Sequence, residues 1–213
     1  MPAGPEPMIA VRSMPPLCHP LYAVAMTDNP RVTYLLVDGE NVDATLGISV
    51  LGRRPNPDER PRWERLRTFA AEMWGQPVKP LFFLNASAGH MPMPFVQALL
   101  ALDYRPIPLS GDPGVKVVDI GIQRTLEAIE AQGGDVLLAS HDGDFLPQVK
   151  ALLGADRRVG IVGFREYVNA QFSDLREAGL QFFDLEYDVN AFSGVLPRVR
   201  IIPIERFNPL EFL

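Results

Sequence analysis

Apolar positions along the chain alternate between two patterns. Short, nearly unbroken runs occupy residues 32–37 (Val-Thr-Tyr-Leu-Leu-Val), 78–84, 136–139, 157–163 and 180–185. Runs of this kind read as strands covered on both faces, which belong to parallel sheets. A further run, 104–109, carries Pro106 and Pro108. Proline has no N–H for the ladder, so this strand suits only a sheet edge. Between the strands, apolar residues recur at helical spacing. Trp63, Leu66, Phe69, Ala70 and Met73 predict a helix over 58–74, and Val118, Ile122, Leu126 and Ile129 predict another beginning near 115. Shorter helices are expected over 94–102, 145–153 and 170–178, while 47–57, rich in Gly, Pro and Arg, reads as a loop. The alternation predicts an α/β, Rossmannoid three-layer fold: a central, mostly parallel sheet flanked by helices and joined by right-handed crossovers.

The ends of the chain break this pattern. Pro2, Pro5, Pro7, Pro15, Pro16, Pro20 and Pro30 interrupt any element in residues 1–30. That stretch is expected to be disordered, or to be an extension ahead of a natural start at Met26. Residues 31–187 form the predicted domain. Residues 188–213, which alternate apolar and charged residues from Arg198 to Ile204, read as an edge strand, a partner-binding strand or a docked tail. A protein partner, or a second copy of the chain, would bind through this tail.

Length and composition fit that division, since 213 residues at 47% hydrophobic give one domain a sizeable core. No apolar run is long enough for a membrane span. The single cysteine, Cys18, cannot form an internal disulfide. A cytoplasmic protein with no membrane partner is therefore expected. The net charge of −6 excludes a wholly basic, indiscriminate nucleic-acid binder.

The strands end in acids. The apolar run 136–139 stops at Ser140-His141-Asp142-Gly143-Asp144, and the run 32–37 stops at Asp38-Gly39-Glu40-Asn41. Asp119 follows Val117-Val118 at the start of a helix. Ligands of open α/β sheets bind beyond the carboxyl ends of the strands, which is where these residues fall. Carboxylates so dense repel one another without a cation, and Mg²⁺ and Mn²⁺ take oxygen ligands. Asp144 also suits an N-cap, with Asp142 and Gly143 as turn residues. Lys116 and Asp119 are neighbours on a helix surface, either as a surface ion pair or as an acid and an ammonium facing one phosphate. Arg53, Arg54, Arg60, Arg62, Arg65 and Arg67 crowd the loop and helix after residue 52. Guanidinium forks match phosphate oxygens, so Arg53, Arg54, Arg60 and Arg62 are candidate nucleic-acid phosphate contacts, set against a merely solvated face. His90 lacks metal-ligand spacing to His19 or His141 and reads as a loop residue.

Asp38-x-x-Asn41, Lys116-x-x-Asp119 and Ser140-x-Asp142-x-Asp144-Phe145-x-Pro147, taken in order, resemble the NYN domain, a LabA-like bacterial branch of the PIN-like nuclease superfamily. The match runs from about Arg31 to Leu185. The resemblance implies a PIN-like fold and a ribonuclease that hydrolyses RNA phosphodiesters with Mg²⁺ or Mn²⁺. It makes Asp38, Asp119, Asp142 and Asp144 the catalytic, metal-holding acids. Asn41 would support the first of them, Lys116 would lie beside the substrate phosphate, and Ser140 would orient the acidic loop. His141 stands where such domains commonly have a small residue, and it either reaches substrate or fills space. The competing expectation is a non-catalytic PIN-like module that binds RNA or protein. A phosphatase of the haloacid dehalogenase type, resembled only in Asp38 and Glu40, is a more distant alternative.

Overall fold

The computed structural model describes residues 31–154, 156–199 and 202–213. The expectations for residues 1–30, Met26 and Cys18 lie outside the described residues. Six strands form one all-parallel sheet: β1 (Thr33–Asp38), β2 (Val78–Asn85), β3 (Arg105–Leu109), β4 (Asp135–Ala139), β5 (Val159–Gly163) and β6 (Gln181–Asp184). Their order is β3-β2-β1-β4-β5-β6, an open α/β arrangement. β3, which carries Pro106 and Pro108, takes an edge, where missing donors cost nothing.

Side chains alternate across the sheet with the two-residue strand period. Leu35, Val37, Leu137, Ala139 and Val162 face one layer, and Leu36, Val136, Leu138 and Ile161 face the other. On the first face lie α1 (Gly39–Ala44), α2 (Trp63–Trp74) and α3 (Met93–Ala101); on the second lie α4 (Val117–Gln132) and α5 (Leu146–Leu153). Phe82 centres the first layer, with Trp63, Phe95 and Tyr104 edge-on at 5.0, 5.3 and 6.1 Å. Each such pair adds roughly 0.5–1.5 kcal/mol beyond area burial. Gly39 is required beside it, because a Cβ there would stand 2.4 Å from the Phe82 ring.

Three elements differ from the sequence reading. The helix expected over 58–74 begins only at Trp63. Pro57–Glu59 is a separate 3₁₀ turn, and Arg60 is extended at ψ 158°, because the ring of Pro61 pushes the preceding residue out of the helical region. The stretch 170–178 holds only a 3₁₀ turn, Ala170–Leu175. Residues 47–51 are helical where a loop was expected: α1 runs on into a wider π-type helix, Thr45–Leu51, that stops at Gly52 in the left-handed region. Its glycines and β-branched residues are poor helix formers. Burial of Val42, Leu46 and Val50, four residues apart on one face, overrides that weakness.

The C-terminal residues dock as far as Arg198. Val189, Ala191, Phe192 and Leu196 join the core of the first layer, so the boundary read at residue 187 does not coincide with a break in packing. Arg65 Nη1 donates to the carbonyls of Asn190 and Phe192 at 2.7 and 2.8 Å, and Ala191 N donates to Leu185 O at 2.8 Å. Arg198, 3% exposed in its side chain, closes the segment by bonding both oxygens of Asp184 and reaching Glu166 and Glu186. Among the described residues, no helix is long and apolar enough to cross a membrane.

Candidate functional site

β1 leads into α1 on one face of the sheet and β4 leads into α5 on the other, so the connections leaving these two paired strands diverge around a crevice. Asp38 is the last residue of β1, and Ser140 follows the last residue of β4. The carboxylate of Asp38 is 2% exposed. It accepts from Asn41 N at 3.1 Å through Oδ1 and from Ser140 Oγ at 3.1 Å through Oδ2. Ser140 Oγ also accepts from Asp142 N at 3.2 Å, so this hydroxyl couples the two acidic strand ends. Burial pushes the Asp38 carboxyl up to about 6. The two hydrogen bonds oppose the shift, and the negative charges of Asp119 and Asp142 add to it.

Asp142 caps the turn after β4, its Oδ1 accepting from Asp144 N at 2.9 Å. Gln123, on α4, holds the same turn by donating to Asp144 O at 3.1 Å. The first turn of α4 brings Asp119 alongside. One oxygen from each of Asp119, Asp142 and Asp144 lies within 4.8 Å of the others, so the three can hold one cation. Lys116, the residue before α4, already places an ammonium there, with Nζ 3.2 Å from Asp119 Oδ2 and 2.9 Å from Asp144 Oδ2. These two carboxylates hold its pKa well above the ordinary lysine value. Asp38, Asn41, Lys116, Asp119 and Asp142 line one acidic cleft of about 440 Å³.

His141 turns away from this cleft. It is 5% exposed, and burial pushes its imidazole down to about 4. Its backbone N and ring Nδ1 both lie against Asn41 Oδ1, at 2.8 and 2.9 Å, while Nε2 accepts from Phe164 N at 2.7 Å. Neither ring nitrogen is left for a substrate or a metal. His90 remains a loop residue, its Nδ1 2.8 Å from Ala88 O.

The arginines divide. Arg53 forks onto Glu59 at 2.8 and 2.5 Å, Arg60 forks onto Asp43 at 2.7 and 3.1 Å, and Arg62 Nε donates to Ser193 Oγ at 3.0 Å. Arg54 is exposed and makes no ion pair among the described residues. Arg53 and Arg54 line a second cleft, and Ala44 borders both it and the acidic one. Glu40 and Asn85 also line the acidic cleft. Asn85 ends β2 as Asp38 ends β1, a polar residue closing an apolar run, and that was its only mark in the sequence.

Neither family models nor curated proteins match the chain. Among solved structures, it is similar to a protein of unknown function from Vibrio parahaemolyticus, at 19% identity and a TM-score of 0.58. The match covers 76% of this chain and 97% of that one. At this identity the likeness concerns the fold alone.

Proposed function

We propose that this protein is a ribonuclease that hydrolyses RNA phosphodiester bonds with Mg²⁺ or Mn²⁺, acting in the cytoplasm. The observation that carries the reading is the grouping of Asp119, Asp142 and Asp144 within reach of one cation, with Asp38 lining the same cleft as Asp119 and Asp142, at the switch point of a parallel sheet. Their chemistry fits a hard cation: every donor is a carboxylate oxygen. The ammonium of Lys116 between two of them marks the position as one that already favours positive charge. NYN-type identity and RNA as substrate rest on the motif resemblance, which is analogy.

When bound, the metal supplies a Lewis acid and lowers the pKa of a water that attacks phosphorus. Asp119, Asp142 and Asp144 would hold it, with Asp38 beside them. Ser140 and the Asn41 backbone fix the Asp38 carboxylate, so its direction is set before substrate arrives. Lys116, on the cleft wall, is a cation that can turn to the charge growing on the phosphate. His141 supplies no general base, since both ring nitrogens are engaged.

The test is Asp142→Asn, which keeps shape and removes a charge. Divalent-dependent RNA cleavage is expected to vanish while the melting temperature holds. Cleavage at the parent's rate would overturn the assignment. The ion pairs of Lys116 with Asp119 and Asp144 also suit a non-catalytic RNA- or protein-binding module, because they offset the acids without a metal. Saturable metal binding without any cleavage would favour that second reading.

A further inference from the structure

We infer that His141 is a positioning residue that aims the side-chain amide of Asn41 into the acidic cleft, where its NH2 group donates to a phosphate oxygen; this rests on the nuclease reading above. The hydrogen bonds fix the assignment. A backbone N–H can only donate, so the Asn41 atom 2.8 Å from His141 N is the oxygen, and the amide cannot be flipped. Phe164 N is likewise an obligate donor, so His141 Nε2, 2.7 Å away, carries the lone pair and the ring proton sits on Nδ1. That proton then points at Asn41 Oδ1, 2.9 Å away. Both ring bonds require the same tautomer.

The ring is also held sterically. It stacks on Phe164 at 5.5 Å with 9° between the planes. Gly163 leaves it room, since a Cβ there would lie 2.8 Å from Nε2. A ring so placed cannot swing to a substrate, and any effect it has on one passes through Asn41.

Asn41 Oδ1 has both lone pairs engaged, and Asn41 N is used by Asp38 Oδ1 at 3.1 Å. What the side chain keeps for a ligand is its NH2 group, on a residue that lines the cleft beside Asp38, Lys116 and Asp142. A group that can only donate needs an acceptor on the ligand. A non-bridging phosphate oxygen is such an acceptor, whereas a sugar hydroxyl would find its acceptors in the acids.

The experiment compares His141→Leu with His141→Asn in the full chain. Asparagine carries an amide nitrogen where Nδ1 stood, so it keeps the bond to Asn41 and gives up the one to Phe164; leucine loses both. His141→Leu is expected to lower kcat for RNA roughly tenfold to a hundredfold with Mg²⁺ affinity unchanged, on the scale of losing one oriented donor. His141→Asn is expected to recover most of that loss although it melts as early as the leucine variant. Turnover that instead follows the melting temperature in both variants would reduce His141 to a structural role and overturn the proposal. Nitrogen-15 NMR of the unmutated protein decides the matter independently. It should show the Nδ1-protonated tautomer and, with Mg²⁺ present, an Asn41 NH2 resonance displaced by inorganic phosphate. The other tautomer, or an amide that phosphate leaves in place, overturns it. A parent that cleaves no RNA sinks the nuclease reading, and the phosphate titration still settles this one.

Discussion

Ser140 donates its hydroxyl to Asp38 across 102 positions of sequence, over 3.1 Å, and this bond joins the ends of the two central strands. It does not offset the burial of the carboxylate, whose pKa stays raised from 3.8 to about 6. The folded state therefore holds this proton more tightly than the unfolded chain. Stability falls as pH rises from about 4 to about 6 and stays lower above that.

Asp38→Asn removes the penalty. In chelator at pH 8 it is expected to stabilise the fold by about 1–3 kcal/mol, on the scale of a two-unit shift, and by almost nothing at pH 4. Denaturant melts at the two pH values measure this. An equal effect at both would count against a buried, reluctant carboxylate. The same variant should lose RNA cleavage, which would set stability against activity at one residue.

Lys116→Ala separates a catalytic ammonium from a surface ion pair. The side chain is exposed, so the melting temperature is expected to move little. Turnover is expected to fall about 10²-fold, the scale for one donor aimed at transition-state charge. A near-normal rate would remove Lys116 from the active site.

Arg54 is expected to carry the salt dependence of RNA binding on the α1 side. Arg54→Ala should lower the slope of log K against log salt by about 1, because one fewer phosphate is neutralised. Arg53→Ala and Arg60→Ala should leave it nearly unchanged, because Glu59 and Asp43 already hold those forks. Equal reductions from all three would mean that RNA breaks the internal pairs.

Arg198→Met should unfold the protein more easily by about 3–5 kcal/mol, the scale for stranding a buried charge. The stranded group is Asp184, fully buried at the end of β6. Burial raises its pKa, but Arg198 and the backbone donors of Tyr187 and Arg165 outweigh it and hold the value below the ordinary range. Asp184 therefore supports the fold above the ordinary aspartate range, and that support is lost as pH falls through the lowered value. Urea titrations of parent and variant should converge in acid. A constant gap down to pH 2 would contradict this account.

The sheet was legible because each central strand is buried on both faces and so reads as an apolar run. Asp38 and Asp142 were legible because they follow such runs, and Pro106 and Pro108 marked the edge. The helix after Asp38 was not, since Gly39, Gly47, Thr45 and Ile48 carry the local preferences of a loop. The four-residue spacing of Val42, Leu46 and Val50 was the available signal. Which arginines are engaged could not be read either: the partners of Arg62 and Arg65 lie more than 120 positions away. His141 was harder still, because its role depends on Asn41 and Phe164, 100 positions before it and 23 after.

The docking of residues 189–198 also sets an order of events during synthesis. Arg62 and Arg65 leave the ribosome long before the groups they bind, and closing so long a loop is slow. Until Arg198 emerges, Asp184 has no guanidinium beside it, and Val189, Phe192 and Leu196 have not covered the first helical layer. Residues 189–198 follow every strand in the sequence, so the cover over the first helical layer is the last part of the described core to be translated.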